Sequence, residues 1–277
     1  MKYKIITDSS SNLTKDYLKN EKDIGFDIAP LTMIIGGKEY LDDENTTSDE
    51  ILSALNNSKE KATSSCPSPS AFLDLLQGAD YYIIVTISSK LSGSFNSASV
   101  ARMMFNKPEN VIVIDSLLVC GAMQILVDKA VSFIHENVGF EDMESKLLDE
   151  RDKNNLLFVL DKFDNFIKNG RISKFVAFIA TALKIKPLCY GKDGQIDIKE
   201  KIRTLKGVLK RLVLNIGIMC PETKGRKCII SHTKALESAN ILKDEIIKTY
   251  HFDEVIVEDN RGLCSFYALE GGLIVSF

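Results

Sequence analysis

The chain has 277 residues, 45% of them apolar and 26% charged, a balance that fits a globular protein with a large interior and excludes a disordered one. A formal net charge of -3 gives no field to gather nucleic acid or an anionic membrane, so neither is expected as a partner. Six scattered cysteines without a C-x-x-C pair read as buried free thiols. No apolar run approaches the roughly 18 residues of a membrane span, and residues 3–6 are too short for a signal-peptide core, so a cytoplasmic protein without stable membrane insertion is expected.

In chain order, residues 3–7, 81–87 and 111–115 are short, β-branched and apolar, and each precedes a helical pattern, the grammar of a parallel α/β sheet. Thr47 with Glu50 makes a capping box, and Ser68-Pro69 an N-cap with proline at the first helical position, which predicts helices over 48–55 and 71–76. A further helix is predicted from Asp115-Ser116 to about Glu136. Strands follow at 156–160, 183–190, 195–202, 227–232, 254–258 and 273–277, with Asp193-Gly194 as a hairpin turn and helices near 204–219 and 234–250. The expected architecture is α/β: an N-terminal parallel domain over 1–150, a C-terminal α+β domain with a mixed sheet over 151–277, and a ligand cleft between them.

Serines cluster where those strands end. Asp8-Ser9-Ser10-Ser11, the run from Ser88 through Ser92-Gly93-Ser94, and Ser116 each follow a parallel strand, and ligands of open parallel sheets sit outside the carboxyl ends of strands. Ser92-Gly93-Ser94 opens a helix whose first N–H groups lack intrahelical partners, and Gly93 lets a ligand approach closely. Position alone allows Ser92 to be a helix cap. A second serine-rich helix entry, from Ser64-Ser65 to Pro69, tips the reading toward an anion held by hydroxyls and amide dipoles. Arg171 after Gly170 is a further candidate, because guanidinium binds carboxylate or phosphate bidentately; it could equally brace a domain interface.

These residues resemble the DegV family. Thr7-Asp8-Ser9-Ser10-Ser11-Asn12-Leu13 is similar to its opening motif, Pro30-Leu31 with Tyr40-Leu41-Asp42 to its next block, and Ser64-Ser65-Cys66-Pro67-Ser68-Pro69 to its Thr-Ser-x-Pro-Ser-Pro stretch. Leu91-Ser92-Gly93-Ser94-Phe95-Asn96-Ser97-Ala98 is similar to its Leu-Ser-Gly-Thr-Tyr-x-Ser-Ala loop. Gly170-Arg171-Ile172, Lys184-Ile185-Lys186-Pro187 and Arg203-Thr204 follow in family order. The resemblance implies a non-catalytic bacterial protein that buries a long-chain fatty acid between two domains, with the carboxylate on Ser64 and Ser92. It also implies that the acid is presented to a separate fatty acid kinase, with Arg203 on the docking surface. Where the family commonly has His-x-Gly-Pro-Gly, this chain has Tyr267-Ala268-Leu269-Glu270-Gly271, so the Tyr267 phenol stands in as a hydrogen-bond donor.

Other chemistries are less well supplied. A serine-dependent lipid hydrolase, or a binder of another amphiphilic anion, is the alternative, yet of His135, His232 and His251 only His232 lies at a strand end, and no G-x-S-x-G occurs. Neither phosphate-loop pattern is present, and histidines and cysteines lack ligand spacing, so no cofactor and no metal are expected. Lys199, Lys201, Arg203, Lys206, Lys210 and Arg211 form a local basic run, by default a solvated face. A buried tail of ~14 methylenes would supply roughly 11 kcal/mol before association costs, so the tail decides affinity and the serines fix the head.

Overall fold

The computed structural model describes residues 2–172 and 185–277. Leu183 and Lys184, with which the predicted strand at 183–190 begins, lie outside them. A four-stranded parallel sheet is built from β1 (Tyr3–Asp8), β2 (Ile24–Ala29), β6 (Tyr81–Thr86) and β7 (Val111–Asp115) in the order β2-β1-β6-β7. All six residues of β1 are buried, as a strand covered on both faces requires. Even Lys4 is inside, its ammonium paired with Asp27 at 2.6 Å.

β3 (Thr32–Ile35), β4 (Lys38–Leu41) and β5 (Thr63–Ser65) form a small antiparallel sheet in which Met33 faces Ser64. Around these strands run α1 (Ser48–Asn57), α2 (Pro69–Leu73), α3 (Ser94–Met104), α4 (Gly121–His135) and α5 (Phe140–Lys153). Both N-caps form, the Glu50 N–H donating to Thr47 Oγ1 (3.2 Å) and the Ala71 N–H to Ser68 Oγ (3.2 Å), but the Glu50 carboxylate pairs with Lys38 at 3.5 Å instead of closing the predicted capping box. The helix predicted from Ser116 begins instead at Gly121, because residues 116–120 are held in a tight loop with Leu117 and Cys120 at positive φ.

A six-stranded sheet, ordered β10-β9-β8-β13-β11-β12, takes β8 (Leu156–Val159), β9 (Lys186–Lys192), β10 (Gln195–Ile202), β11 (Lys227–His232), β12 (Glu254–Asp259) and β13 (Leu273–Ser276). It is mixed, as expected: β11 and β12 are parallel and its other pairs antiparallel. Asp193 and Gly194 both have positive φ, the signature of the predicted hairpin turn. α6 (Asp164–Lys168), α7 (Leu205–Met219), α8 (Leu236–Thr249) and α9 (Gly262–Ala268) complete the described elements. Residue 150 falls inside α5, close to its end.

α4 joins the two large sheets. It touches β6 on one side and β11 and β13 on the other, and Gly121 through Val127 are all buried, the polar Gln124 among them donating to the Tyr17 hydroxyl at 3.1 Å. Its first residue must be small: a Cβ on Gly121 would stand 2.8 Å from Ile229 Cβ.

Candidate functional site

Strand periodicity builds one apolar wall of a cavity of about 300 Å³. Leu156 and Phe158 of β8, with Leu160 beyond its end and Ile274 of β13, face the cavity. The residues between them, Leu157, Val159, Leu273 and Val275, point to the opposite side of the sheet and pack in a core with α7 and α8. One pair of strands thus lines a chamber with every second residue and a solid core with the rest. The opposite wall comes from the carboxyl ends of β6 and β7, through Ile87, Leu91 and the loop Leu117–Cys120, as the parallel-sheet rule predicts.

Thiols finish part of the wall. Cys66, Cys120 and Cys264 all line the cavity, with Cys120 Sγ 2.9 Å from Cys264 Sγ. That contact and burial push the Cys264 thiol well up, so it serves as a small neutral group.

Polar groups gather where β5 meets the start of α3. Cys66 Sγ would lie 2.9 Å from a Cβ on Gly93, so only glycine lets these segments approach. Ser64, Ser65, Ser92, Gly93, Arg171 and Tyr267 all line the cavity. Ser64 Oγ is 2.8 Å from the Tyr267 hydroxyl, and Arg171 Nη1 donates to the Asn169 carbonyl at 2.6 Å. Tyr267 is wedged between Phe166 and Phe266, with ring centroids 4.8 and 4.9 Å away. Burial raises its phenol, while Ser64 and Arg171 work against the rise. Tyr267→Phe keeps the ring and deletes the hydroxyl; it should weaken head-group binding by about 1.5–3 kcal/mol without changing the thermal midpoint by more than a few degrees. Titration calorimetry checks this, and an unchanged affinity would place the phenol outside the head-group contacts.

Four of the predicted ligand residues stand behind the wall instead of on it. The Ser116 hydroxyl is spent within its own turn, donating to the Leu118 carbonyl (3.0 Å) and accepting from the Leu118 N–H (3.2 Å). Ser9 Oγ accepts from the Leu31 N–H at 3.0 Å. Asp8 is fully buried and accepts from the Ile87 N–H (2.9 Å), the Ser10 N–H (3.1 Å) and the Ser10 hydroxyl. Ser94, also fully buried, contacts Ser92 Oγ at 3.1 Å.

A second buried carboxyl, Asp42, lies against the first turn of α9, with the Ser9 hydroxyl and the Leu263 N–H its nearest donors, held more loosely than a full hydrogen bond. Burial pushes both Asp8 and Asp42 up to about 6. A carboxyl raised on folding keeps its proton where the unfolded chain has lost it, so its contribution to stability is greatest below about pH 4 and falls as pH rises through 6. Asp42→Asn should therefore gain on the wild type between pH 4.5 and 7, by on the order of 1–3 kcal/mol in urea unfolding. A stability difference equal at both pH values would contradict the raised carboxyl.

The family model described as "Uncharacterised protein, DegV family" matches residues 2–273. The chain belongs to the DegV family. A DegV domain-containing protein of Streptococcus pyogenes serotype M3 is 34% identical over 286 residues, covering 100% of this chain and 99% of that protein. Among solved structures, the Streptococcus pneumoniae Fatty Acid Kinase (Fak) B3 protein loaded with linoleic acid is 29% identical, with a TM-score of 0.93 over 100% of this chain and 99% of that one. A DegV family protein of Ruminococcus gnavus with vaccenic acid is 26% identical, with a TM-score of 0.92 over 99% of both chains. Within the DegV fold of this chain, sequence reasoning did not place in the cavity wall the apolar residues of β8 and β13, the Leu117–Cys120 loop, the predicted hairpin from Gly191 to Ile196 or the buried thiols. Only the tight-turn residues of the hairpin carried a signal in the sequence.

Proposed function

We propose that this protein binds a long-chain fatty acid, with the acyl chain in the apolar chamber and the carboxylate at Ser64 and Ser92, assisted by Tyr267 and Arg171. The observation that carries this reading is the chamber itself, walled by alternate residues of β8 and β13 and furnished with the four hydroxyls of Ser64, Ser65, Ser92 and Tyr267 and the Arg171 guanidinium. Hydroxyl donors to a carboxylate contribute about 1.5–3 kcal/mol each, so they orient the head while the tail supplies most of the affinity. The fatty-acid-loaded relatives named above support the same occupant. On this reading the segments 1–150 and 151–277 act as two units around the ligand, in the cytoplasm, without a cofactor or metal of their own.

The test is denaturing extraction of the purified protein followed by mass spectrometry. A stoichiometric long-chain acid is the expected result. Recovery of no lipid, with esterase turnover lost in Ser92→Ala, would favour a hydrolase instead. Among the described lining residues none is a histidine, and His232 at the end of β11 has Nδ1 3.4 Å from an Asp259 carboxylate oxygen without a hydrogen bond between them.

The role is that of a carrier which hands its carboxylate to a separate kinase. Arg203, exposed at the turn between β10 and α7, belongs to the docking face with its neighbours Lys206 and Lys210. Arg211 is turned away from that face by its bidentate pairing with Glu200, and Lys199 lies over the Tyr190 ring at 4.9 Å. Arg203→Glu should abolish docking to a fatty acid kinase and leave lipid binding untouched; equal kinase affinity in a titration would remove Arg203 from the interface.

A further inference from the structure

A row of oxygens runs from the interior to the cavity. At its inner end the Asp8 carboxylate, 0% exposed, accepts from Ser10 and the Ile87 N–H, and the Ser94 hydroxyl approaches it more loosely than a full hydrogen bond, near enough to favour its ionised form. Ser94 Oγ, also on a residue 0% exposed, lies 3.1 Å from Ser92 Oγ, which accepts the Ser94 N–H at 3.3 Å. Ser92 lines the cavity where the head group would rest. With a ligand carboxyl in place, four groups are joined by three links, and the two serine hydroxyls supply only two protons.

An ionised carboxylate accepts and never donates. With Asp8 ionised in the empty site, Ser94 gives its proton to Asp8 and Ser92 gives its own to Ser94, so Ser92 turns a lone pair toward the cavity. An arriving carboxylate then meets an acceptor, and whichever way the hydroxyls rotate, one of the three links stays without a hydrogen. Two oxygens facing each other with nothing between them, in a buried place, is a costly arrangement.

We propose that a fatty acid anion enters this site together with one proton from solvent, which fills the missing link of the row Asp8, Ser94, Ser92 and head group. The inference rests on the fatty-acid reading and adds to it the protonation state in which the ligand is held. No covalent bond changes: the anion and a proton combine with the protein, and the proton resides on Asp8 or on the ligand, the two titrating as a coupled pair.

The surroundings favour that uptake. Burial already pushes the Asp8 carboxyl up to about 6, and a second carboxylate at the far end of the row pushes it further. The Asp8 charge raises Asp42 in turn, while Arg261, whose guanidinium donates to the Asp43 carbonyl at 3.1 Å, lowers it. The Cys264 thiol, packed on the Ser10 carbonyl at 3.6 Å, is neutral at pH 7. From β6, α3 and α4 the row is met by the Ile87 amide, Ser94 and the Met123 sulfur, none of them charged. Arg171 and the Ser64–Tyr267 pair also line the cavity and would serve the other carboxyl oxygen, which would leave the Ser92 link as the one short of a proton.

Calorimetry of the full chain, stripped of bound lipid, with myristate as probe at pH 8 in phosphate and in Tris gives the protons exchanged on binding. About one proton taken up per myristate is expected, with affinity falling about tenfold per pH unit from 7 to 8.5 because the complex holds the extra proton. Myristyl alcohol, which brings its own hydroxyl proton, should bind without uptake. Ser94→Ala should bring the uptake for myristate to near zero and Ser94→Thr should restore it; the wild-type pH profile tests the same point without any variant. Myristate binding that is pH-independent with no uptake, while Ser92→Ala still weakens it, overturns the proton row alone. Absence of myristate binding, or unchanged binding by Ser92→Ala, overturns the fatty-acid head-group reading and the row with it.

Discussion

Acids of sixteen and ten carbons are expected to differ in affinity for this protein by about 4–5 kcal/mol, a factor on the order of a thousand or more. Each methylene moved from water into the chamber contributes about 0.8 kcal/mol, and away from the serine cluster the walls offer it mainly aliphatic, aromatic and thiol surface. The head group is the same in both acids, so its hydrogen bonds cancel from the comparison. A displacement assay across even-numbered saturated acids measures this slope directly. Affinity that stays flat with chain length would mean that the tail lies outside the chamber.

The second large effect concerns the scaffold behind the polar end. Phe266 in α9 is fully buried against Leu31, Met33, Ile35 and Ile51, and its carbonyl accepts from Asn165 Nδ2 at 2.6 Å. Phe266→Ala should cost about 3–5 kcal/mol in denaturant unfolding, since the small sheet cannot collapse into the space left. Because Tyr267 stands edge-on to that ring, head-group binding should weaken in the same variant. A loss under about 1 kcal/mol would show that α9 is held by something other than this packing.

These two expectations draw on parts of the molecule that were unequally legible in the sequence. Strands β1, β6, β7 and β11 announced themselves because buried strands are β-branched runs, and the Asp193-Gly194 turn because few other pairs adopt positive φ twice in succession. β2 was hidden by Gly25 and by Asp27, whose charge is answered by Lys4 from the neighbouring strand. α5 was hidden by its composition: Met143 and Leu147 are its only fully buried residues, so the apolar stripe is two side chains wide. α9 spans only two turns, too short for periodicity to register.

At the candidate site, the hydroxyl loops were legible as a cluster, but their division into a front and a back rank was not. Ser92 faces the cavity while Ser9, Ser94 and Ser116 satisfy their neighbours, and nothing in residue type separates those roles. The apolar wall was invisible for a deeper reason. Leu156 and Phe158 line the cavity and Leu157 and Val159 pack in the core on the other side of the sheet, yet all four are simply buried apolar residues of one strand.

That alternation along β8 has an evolutionary corollary. Substitutions at 156, 158, 160 or 274 remodel the volume offered to a guest, whereas their immediate neighbours in the chain carry the cohesion of the other layer. Selectivity can drift among related sequences by exchanging one register of side chains while the folding determinants beside it are left alone, so a lineage can change what it carries without first becoming unstable.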